Sequence, residues 1–400
     1  MFDKNFLVVE LANILAGPTT TMAFAELGAR VIKVENPNTQ GDATRGWKLA
    51  TENRDLDLCA YFACANWGKE SIAVDFSKPS GLSVVHDLIE KADIVIASFK
   101  PGDDRKLSLD YESVKAINPS IIYGQINAYG ERDPRPGFDA ILQAESGFTY
   151  LNGEPDGPPT KMPVALVDLL ASHQLKEGLL LALLKREKSG EGSFVSVSLL
   201  QAGVASLANQ ATNYLTAGTI PQRMGSEHPN IVPYGSILKC QDDIELVIAA
   251  ATERQFRKLM GVLNLQTLAD DPNYATGPQR VERRDALLTE IRGKARLIKA
   301  EELAGKLRAE MVPFGFVNDM AAVFNQPAAA DVTLEASVDG QTIKGVRTMV
   351  MQGTAVSTQA ELSHPPRFDQ HRSTILSDLL NYDEATRREL SESGAFGDSK

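Results

Sequence analysis

Through the first third of the chain, short apolar runs alternate with stretches of mixed polarity. Residues 6–11 form one such run and predict a strand. A turn follows at Ala16-Gly17-Pro18. Thr19, Thr20 and Thr21 can open a helix, and Met22, Phe24, Ala25 and Leu27 carry it to Gly28. Residues 29–35 read as a second strand that ends on Glu35. Strand, helix and strand in this order make a βαβ unit, which implies a parallel sheet. The alternation continues with strands at 71–74, 93–98 and 120–123 and helices at 81–91 and 111–117. Residues 1 to about 125 are therefore expected to be a doubly wound, Rossmann-like α/β domain. The loop of its first unit holds one glycine, Gly17, and not the GxGxxG of a dinucleotide site, so no nicotinamide cofactor is expected.

Residues 130–163 are rich in Gly and Pro and predict irregular loops, placed where open sheets bind ligands beyond the carboxyl ends of their strands. A helix is expected over about 167–188, closed by the cations of its last turn and by the Ser-Gly-Glu-Gly192 stop. A strand at 194–199 and an apolar helix to about residue 214 follow. The pattern changes near Pro221. A hairpin over 236–239 and 244–249, then short charged helices over 253–310, predict a smaller α+β domain. A second hairpin spans 332–338 and 342–351 around Asp339-Gly340, a strong turn signal. The tail from 374 to 394 reads as charged helix.

Composition narrows the function. The chain has 400 residues, 43% of them hydrophobic, and a formal net charge of -11. That balance argues against a nucleic-acid surface, and an anionic ligand would need a local basic pocket. Cys59, Cys64 and Cys240 offer no disulfide framework, and the five histidines are scattered without a ligand motif, so no metal is expected. The first residues lack the basic start and long apolar core of a secretory signal. No apolar stretch reaches the length of a membrane span. A cytoplasmic protein with no membrane partner is the expectation.

One acidic residue stands out. Asp168 is the only charged side chain between Lys161 and Lys176, inside Pro163-Val-Ala-Leu-Val-Asp168-Leu-Leu-Ala. An ionised carboxylate in such a setting is costly unless it is paired or used. The structural alternative is that Asp168 caps the helix it precedes.

Several blocks occur together in order: Leu15-Ala-Gly-Pro18, Leu27-Gly-Ala29, Val31-Ile-Lys-Val-Glu35, Gly41-Asp-Ala-Thr-Arg45-Gly46, Asn66-Trp-Gly-Lys69, Phe99-Lys-Pro-Gly102, Gly137-Phe-Asp139, Gln143-Ala-Glu-Ser-Gly147, and Gly225-Ser-Glu-His228-Pro229 with Pro233-Tyr234. Over nearly its whole length the chain resembles the class III CoA-transferase family, also called CaiB/BaiF. The resemblance implies an interlocked homodimer. It also implies a large CoA-binding domain over 1–215, a small domain over 216–320, and a segment over 321–400 that returns to the large domain. It implies transfer of CoA from an acyl-CoA to a free carboxylic acid, with Asp168 carrying first an acyl anhydride and then a CoA thioester. Acyl-CoA is the substrate and no tightly bound cofactor is implied.

By family position, Arg45, Lys69, Lys100, Arg105 and Lys106 are the candidate cations for the CoA phosphates. Leu15 and Ala16 lie beside the thioester, with Phe138 and Asp139 nearby. Gly225, Ser226, Glu227 and His228 form the loop near the acyl group. Gln143, Glu145 and His228 are candidates for shaping the acyl pocket, Glu145 equally for a helix surface, and a small dicarboxyl-CoA such as succinyl-CoA is the expected donor. The rival within the same superfamily is an α-methylacyl-CoA racemase, which needs a proton-transferring pair. Phe138 cannot take a proton, and His173 lies about 140° round the helix from Asp168. A non-catalytic acyl-CoA-binding protein would not need Asp168.

Overall fold

The computed structural model describes residues 1–351, 353 and 361–397. The chain falls into two compact units. The first takes residues 1–146, 162–207 and 330–400, and the second takes 147–161 and 208–329.

The first unit is built on six parallel strands: β1 (Leu7–Leu11), β2 (Arg30–Glu35), β3 (Lys69–Ala73), β4 (Ile94–Ala97), β5 (Ile122–Asn127) and β6 (Ser193–Ser198), in the order β3-β2-β1-β4-β5-β6. β1, β4 and β5 are buried along their whole length, as strands covered on both faces must be. The helices that connect and cover the sheet are α1 (Ala16–Glu26), α2 (Pro79–Lys91), α3 (Tyr111–Ile117), α4 (Asp139–Glu145), α5 (Leu166–Ser189) and α6 (Leu199–Ala205). After β1 the chain builds β2 and β3 on one side, then crosses to β4 on the other. The strand order therefore reverses between β1 and β4, which opens a crevice at their carboxyl ends.

The expected boundaries hold for α3 and shift elsewhere for physical reasons. β5 runs to Asn127 because Gln125 and Asn127, polar in sequence, are buried. The stretch expected to be irregular contains α4. The helix expected to reach residue 214 breaks after α6, and the chain resumes helix at Ala208, which sits at φ 47°. α5 ends as its sequence indicates, with Gly190 at φ 71° and Arg186 in the last turn paired to Asp93 at 2.9 Å.

The C-terminal segment returns to the sheet of the first unit. The His371 N–H donates to Ser71 O at 2.9 Å, and Asp75 N–H donates to Ala395 O at 2.7 Å. Ile375, Leu376 and Phe396 join the core of Leu7, Val9, Ile32 and Val95. The antiparallel hairpin β10 (Thr333–Val338) and β11 (Gln341–Val346) turns at Asp339-Gly340.

The second unit holds an antiparallel sheet of β7 (Tyr234–Lys239), β8 (Glu245–Ala249) and β9 (Phe314–Phe316). Its core is Leu238, Leu246, Phe256, Leu287, Ile291 and Leu303. Two of its helices start on reciprocal capping boxes, Thr252 with Gln255 and Thr276 with Gln279.

Candidate active site

Asp168 is the third residue of α5, but it does not cap that helix. Ala165 opens α5 without a side-chain cap, and the cap arrives from α4. Asp139 Oδ1 accepts the Val167 N–H at 2.8 Å, and its Oδ2 accepts Gln143 Nε2–H at 2.6 Å. Gln143 is fully buried. Its Oε1 accepts the Met162 N–H at 2.8 Å and its Nε2 donates to Val164 O at 3.1 Å. Asp139 and Gln143 thus shape the entry to α5. Glu145 instead lies on the surface, where it accepts from Tyr129 Oη at 3.1 Å.

Asp168 itself is 7% exposed, and no described residue pairs with its carboxylate or donates a hydrogen bond to it. Burial raises its pKa, the Asp139 charge raises it further, and together they push it up to about 7. Asp168 lines a cavity of about 150 Å³. The walls are Asn13, Ile14 and Leu15 after β1, Ala16 and Gly17 at the start of α1, Ser98 after β4, Asn127 at the end of β5, and Gly137 and Phe138 before α4. The cavity therefore occupies the crevice where the strand order reverses. α1 begins here without a side-chain cap, which leaves its first N–H groups for a ligand. Thr20 Oγ1 donates to Ser172 Oγ at 3.0 Å and ties α1 to α5. Gly17 is required by space: a Cβ there would lie 2.4 Å from the Ala12 Cβ. Phe138 is 62% exposed on the rim.

Two features of this cavity escaped the sequence reading. The first is Asn127. Its Oδ1 accepts the Gly130 N–H at 2.5 Å, and its buried Nδ2 has no partner among the described residues. An unpaired buried donor costs roughly 1–3 kcal/mol, so the group needs an explanation. The second is a quartet of buried charges beneath the wall. Lys33 Nζ donates to Glu10 Oε1 at 2.6 Å, to Asp42 Oδ2 at 2.9 Å and to Ala12 O at 2.9 Å. Lys69 Nζ donates to Glu10 Oε2 at 2.7 Å, to Asn66 Oδ1 at 2.9 Å and to Pro18 O at 2.9 Å. Above them Ile14 sits at φ 71°, a left-handed conformation that is costly for a β-branched residue, of order 1–3 kcal/mol.

Two of the expected phosphate ligands are corrected by this geometry. Lys69 is fully buried, with all three donors used in the quartet, and desolvation lowers its pKa to about 8. Arg45 is buried and forks onto Glu35 at 2.8 and 2.6 Å. It also donates to Asp57 O and Pro366 O and stacks on Phe62 at 3.8 Å. Both cations serve internal carboxylates because those carboxylates could not otherwise be buried. Lys100 lies exposed on the loop after β4, which also carries Ser98, and Arg105 is exposed in the short helix Asp103–Lys106 that follows. Lys106, exposed as well, pairs with Asp103 at 2.8 Å.

The loop of Gly225, Ser226, Glu227 and His228 belongs to the second unit. There Glu227 accepts from Ser236 Oγ at 2.6 Å and pairs with Arg292 at 2.9 Å. Arg284 donates to the carbonyls of His228 and Pro229. Glu227 is therefore a structural anchor of its loop. His228 Nδ1 accepts the Asn230 N–H, and Gly225 takes φ 59°. No cluster of metal-ligating side chains occurs among the described residues, and none of the described helices is long and apolar enough to cross a membrane.

Residues 4–372 match the model of CoA-transferase family III. The chain belongs to this family. It is 37% identical over 383 residues to a succinate–glutarate CoA-transferase of Agrobacterium fabrum, covering 93% of this chain and 94% of that protein. It is 34% identical to a succinyl-CoA:glutarate CoA-transferase of Mus musculus, over 97% of this chain and 89% of that one. It is 32% identical to an acetyl-CoA:oxalate CoA-transferase of Acetobacter aceti, over 82% and 84%. Among solved structures, a CaiB/BaiF family protein from Brucella suis superposes with a TM-score of 0.79 at 36% identity, covering 94% of this chain and 98% of that one. The protein is thus an enzyme, a class III CoA-transferase, and CoA thioesters are substrates of such enzymes.

Proposed function

We propose that Asp168 is the nucleophile that carries the transferred groups, and that the substrates are small dicarboxylates and their CoA thioesters. An Asp168 oxygen attacks the donor thioester carbon, the C–S bond breaks, and CoA leaves as its thiolate. The thiolate then attacks the aspartyl carbon of the mixed anhydride, which releases the donor carboxylate and leaves Asp168 as a CoA thioester. The acceptor carboxylate attacks that thioester, forming a new anhydride and freeing the thiolate again. Attack of the thiolate on the acceptor acyl carbon yields the acceptor CoA thioester and regenerates Asp168. One carboxylate enters and one leaves, with no oxidation and no net proton.

The observation that carries this reading is an unpaired, nearly buried carboxylate in the switch-point cavity with its pKa raised to about 7. An ordinary carboxylate is a far weaker base than a thiolate, whose conjugate acid has a pKa of roughly 8.5. Raising Asp168 most of the way to that value makes expulsion of the thiolate much less uphill. The uncapped start of α1 and the free Asn127 Nδ2 are the donors suited to the developing oxyanion. The apolar wall restrains hydrolysis of both intermediates. Lys100, Arg105 and Lys106 are the remaining cations for the CoA phosphates. The named relatives support succinyl and glutaryl groups as substrates. The family resemblance supports an interlocked homodimer, and exposed Leu181 and Leu184 on α5 offer apolar surface to a second copy.

The decisive experiment incubates the protein with succinyl-CoA, quenches with hydroxylamine and maps the adduct by mass spectrometry. A hydroxamate on Asp168 is expected, together with glutaryl-CoA formation when glutarate is added. Transfer at the wild-type rate by Asp168→Ala would refute the proposal. Deuterium exchange at the α-carbon without transfer would indicate the racemase instead.

A further inference from the structure

The buried quartet holds the segment that forms the cavity wall at three points, and each contact is to backbone, two in the loop after β1 and one in the first turn of α1. Lys33 holds Ala12 O at one end, and Lys69 holds Pro18 O at the other. Between them Asp42 Oδ2 accepts the Ile14 N–H at 3.1 Å, the residue that carries the positive φ of 71°. Asp42 is itself fixed. It pairs with Lys33 at 2.9 Å, and its Oδ1 accepts both the Thr44 N–H at 3.0 Å and the Thr44 hydroxyl at 2.8 Å. Glu10 on β1 links the two lysines, Lys33 on β2, with which it stands in register, and Lys69 at the start of β3. Two cations and two anions cancel, so the group can stay dry beneath the cavity floor.

We propose that Asp42 is a positioning residue for CoA transfer. By clamping the strained Ile14 amide, it fixes the Ile14–Ala16 wall against which Asp168 receives the thioester. This rests on the reading of Asp168 as the nucleophile. The physical logic is that a β-branched residue leaves the left-handed region unless something holds it there. Release of Ile14 would move Leu15, and with it the start of α1. Small displacements of groups around a reacting centre cost large factors in rate while leaving remote binding intact. The long CoA tail should therefore bind much as before.

The test is a rescue. Asp42→Asn removes the charge that Lys33 holds and replaces one acceptor oxygen with an NH2 group, which meets only donors whichever way the amide turns, so the grip on the Ile14 N–H is broken. Its kcat, normalised to hydroxylamine-titrated Asp168, is expected to fall about 10- to 100-fold, while KM for succinyl-CoA changes by less than about threefold. Adding Ile14→Gly should restore most of that loss, because glycine adopts positive φ without strain. A merely structural role for Asp42 would lower thermal stability and the titrated fraction, and glycine at 14 would restore nothing. That outcome, or an unchanged kcat in Asp42→Asn, overturns the proposal. If Asp42→Asn does not fold, Ile14→Pro decides instead. It removes the clamped N–H and forbids positive φ while leaving Asp42 and its pairing with Lys33 in the chain. A kcat loss of about 100-fold is expected with folding intact, and wild-type kcat in Ile14→Pro overturns the clamp. Hydroxamate formation on wild-type Asp168 is read alongside, so a failure of the nucleophile is distinguished from a failure of the clamp.

Discussion

Replacing Asp168 with asparagine should abolish transfer and, at alkaline pH, make the protein more stable. The carboxylate is nearly buried, unpaired and next to Asp139, and its pKa rises from 3.8 to about 7 on folding. Between those values the folded chain holds a proton that the unfolded chain has lost. The unfolded state binds fewer protons there, so stability falls as pH rises through that window and the full penalty is present above pH 7. At about 1.4 kcal/mol per tenfold, the penalty is roughly 4 kcal/mol. At pH 4.5, less than one unit above the unfolded pKa, only about a quarter of the penalty has accrued. Asparagine has nearly the same shape and no charge. Its stabilising effect should therefore be roughly 3 kcal/mol larger at pH 8.5 than at pH 4.5. Urea unfolding of both proteins at the two pH values measures this difference. A pH-independent effect, or a variant less stable at pH 8.5, would refute the description of Asp168 as a charge held at a cost for catalysis.

The same ionisation should govern rate: kcat/KM for succinyl-CoA should fall about tenfold per pH unit below pH 7 and level off above it, and a profile flat down to pH 5 would contradict it. Arg45→Ala should cost about 3–5 kcal/mol, because it strands the buried Glu35 carboxylate; urea unfolding checks it, and a loss below about 1 kcal/mol would show that Arg45 is not the internal partner described. Lys100→Ala and Arg105→Ala should each raise KM for acyl-CoA several-fold with kcat little changed, and should weaken the dependence of KM on salt. Unchanged KM in both variants would move the phosphate site elsewhere.

The parallel sheet was legible because βαβ units have strong periodicity and their connections are short. The burial of Asp168 was legible for a simpler reason: it is the one acid in an apolar stretch. The residues that were misread or passed over are the ones whose meaning depends on pairing across strands. Lys33, which drew no reading of its own, meets its partner Glu10 only once β1 and β2 align. Arg45 and Lys69 carried a basic residue's ordinary promise of an external anion, and nothing local indicates that Glu35 and Glu10 already claim them. Asp139 caps α5 from 28 positions away, a distance that no capping signature spans. Asn127 was hidden because polar residues at strand ends usually mark the exit to solvent.

The path of the chain between the two units has a consequence for how such an enzyme can be dissected. It changes unit at 146/147, 161/162, 207/208 and 329/330. Neither unit is one uninterrupted stretch of polypeptide, so neither can be expressed by trimming the gene from an end. A break within residues 208–329 would leave two pieces that each hold an incomplete sheet or core. Exchange of acyl-group preference between relatives should therefore proceed by point changes or by replacing internal cassettes, not by swapping whole halves.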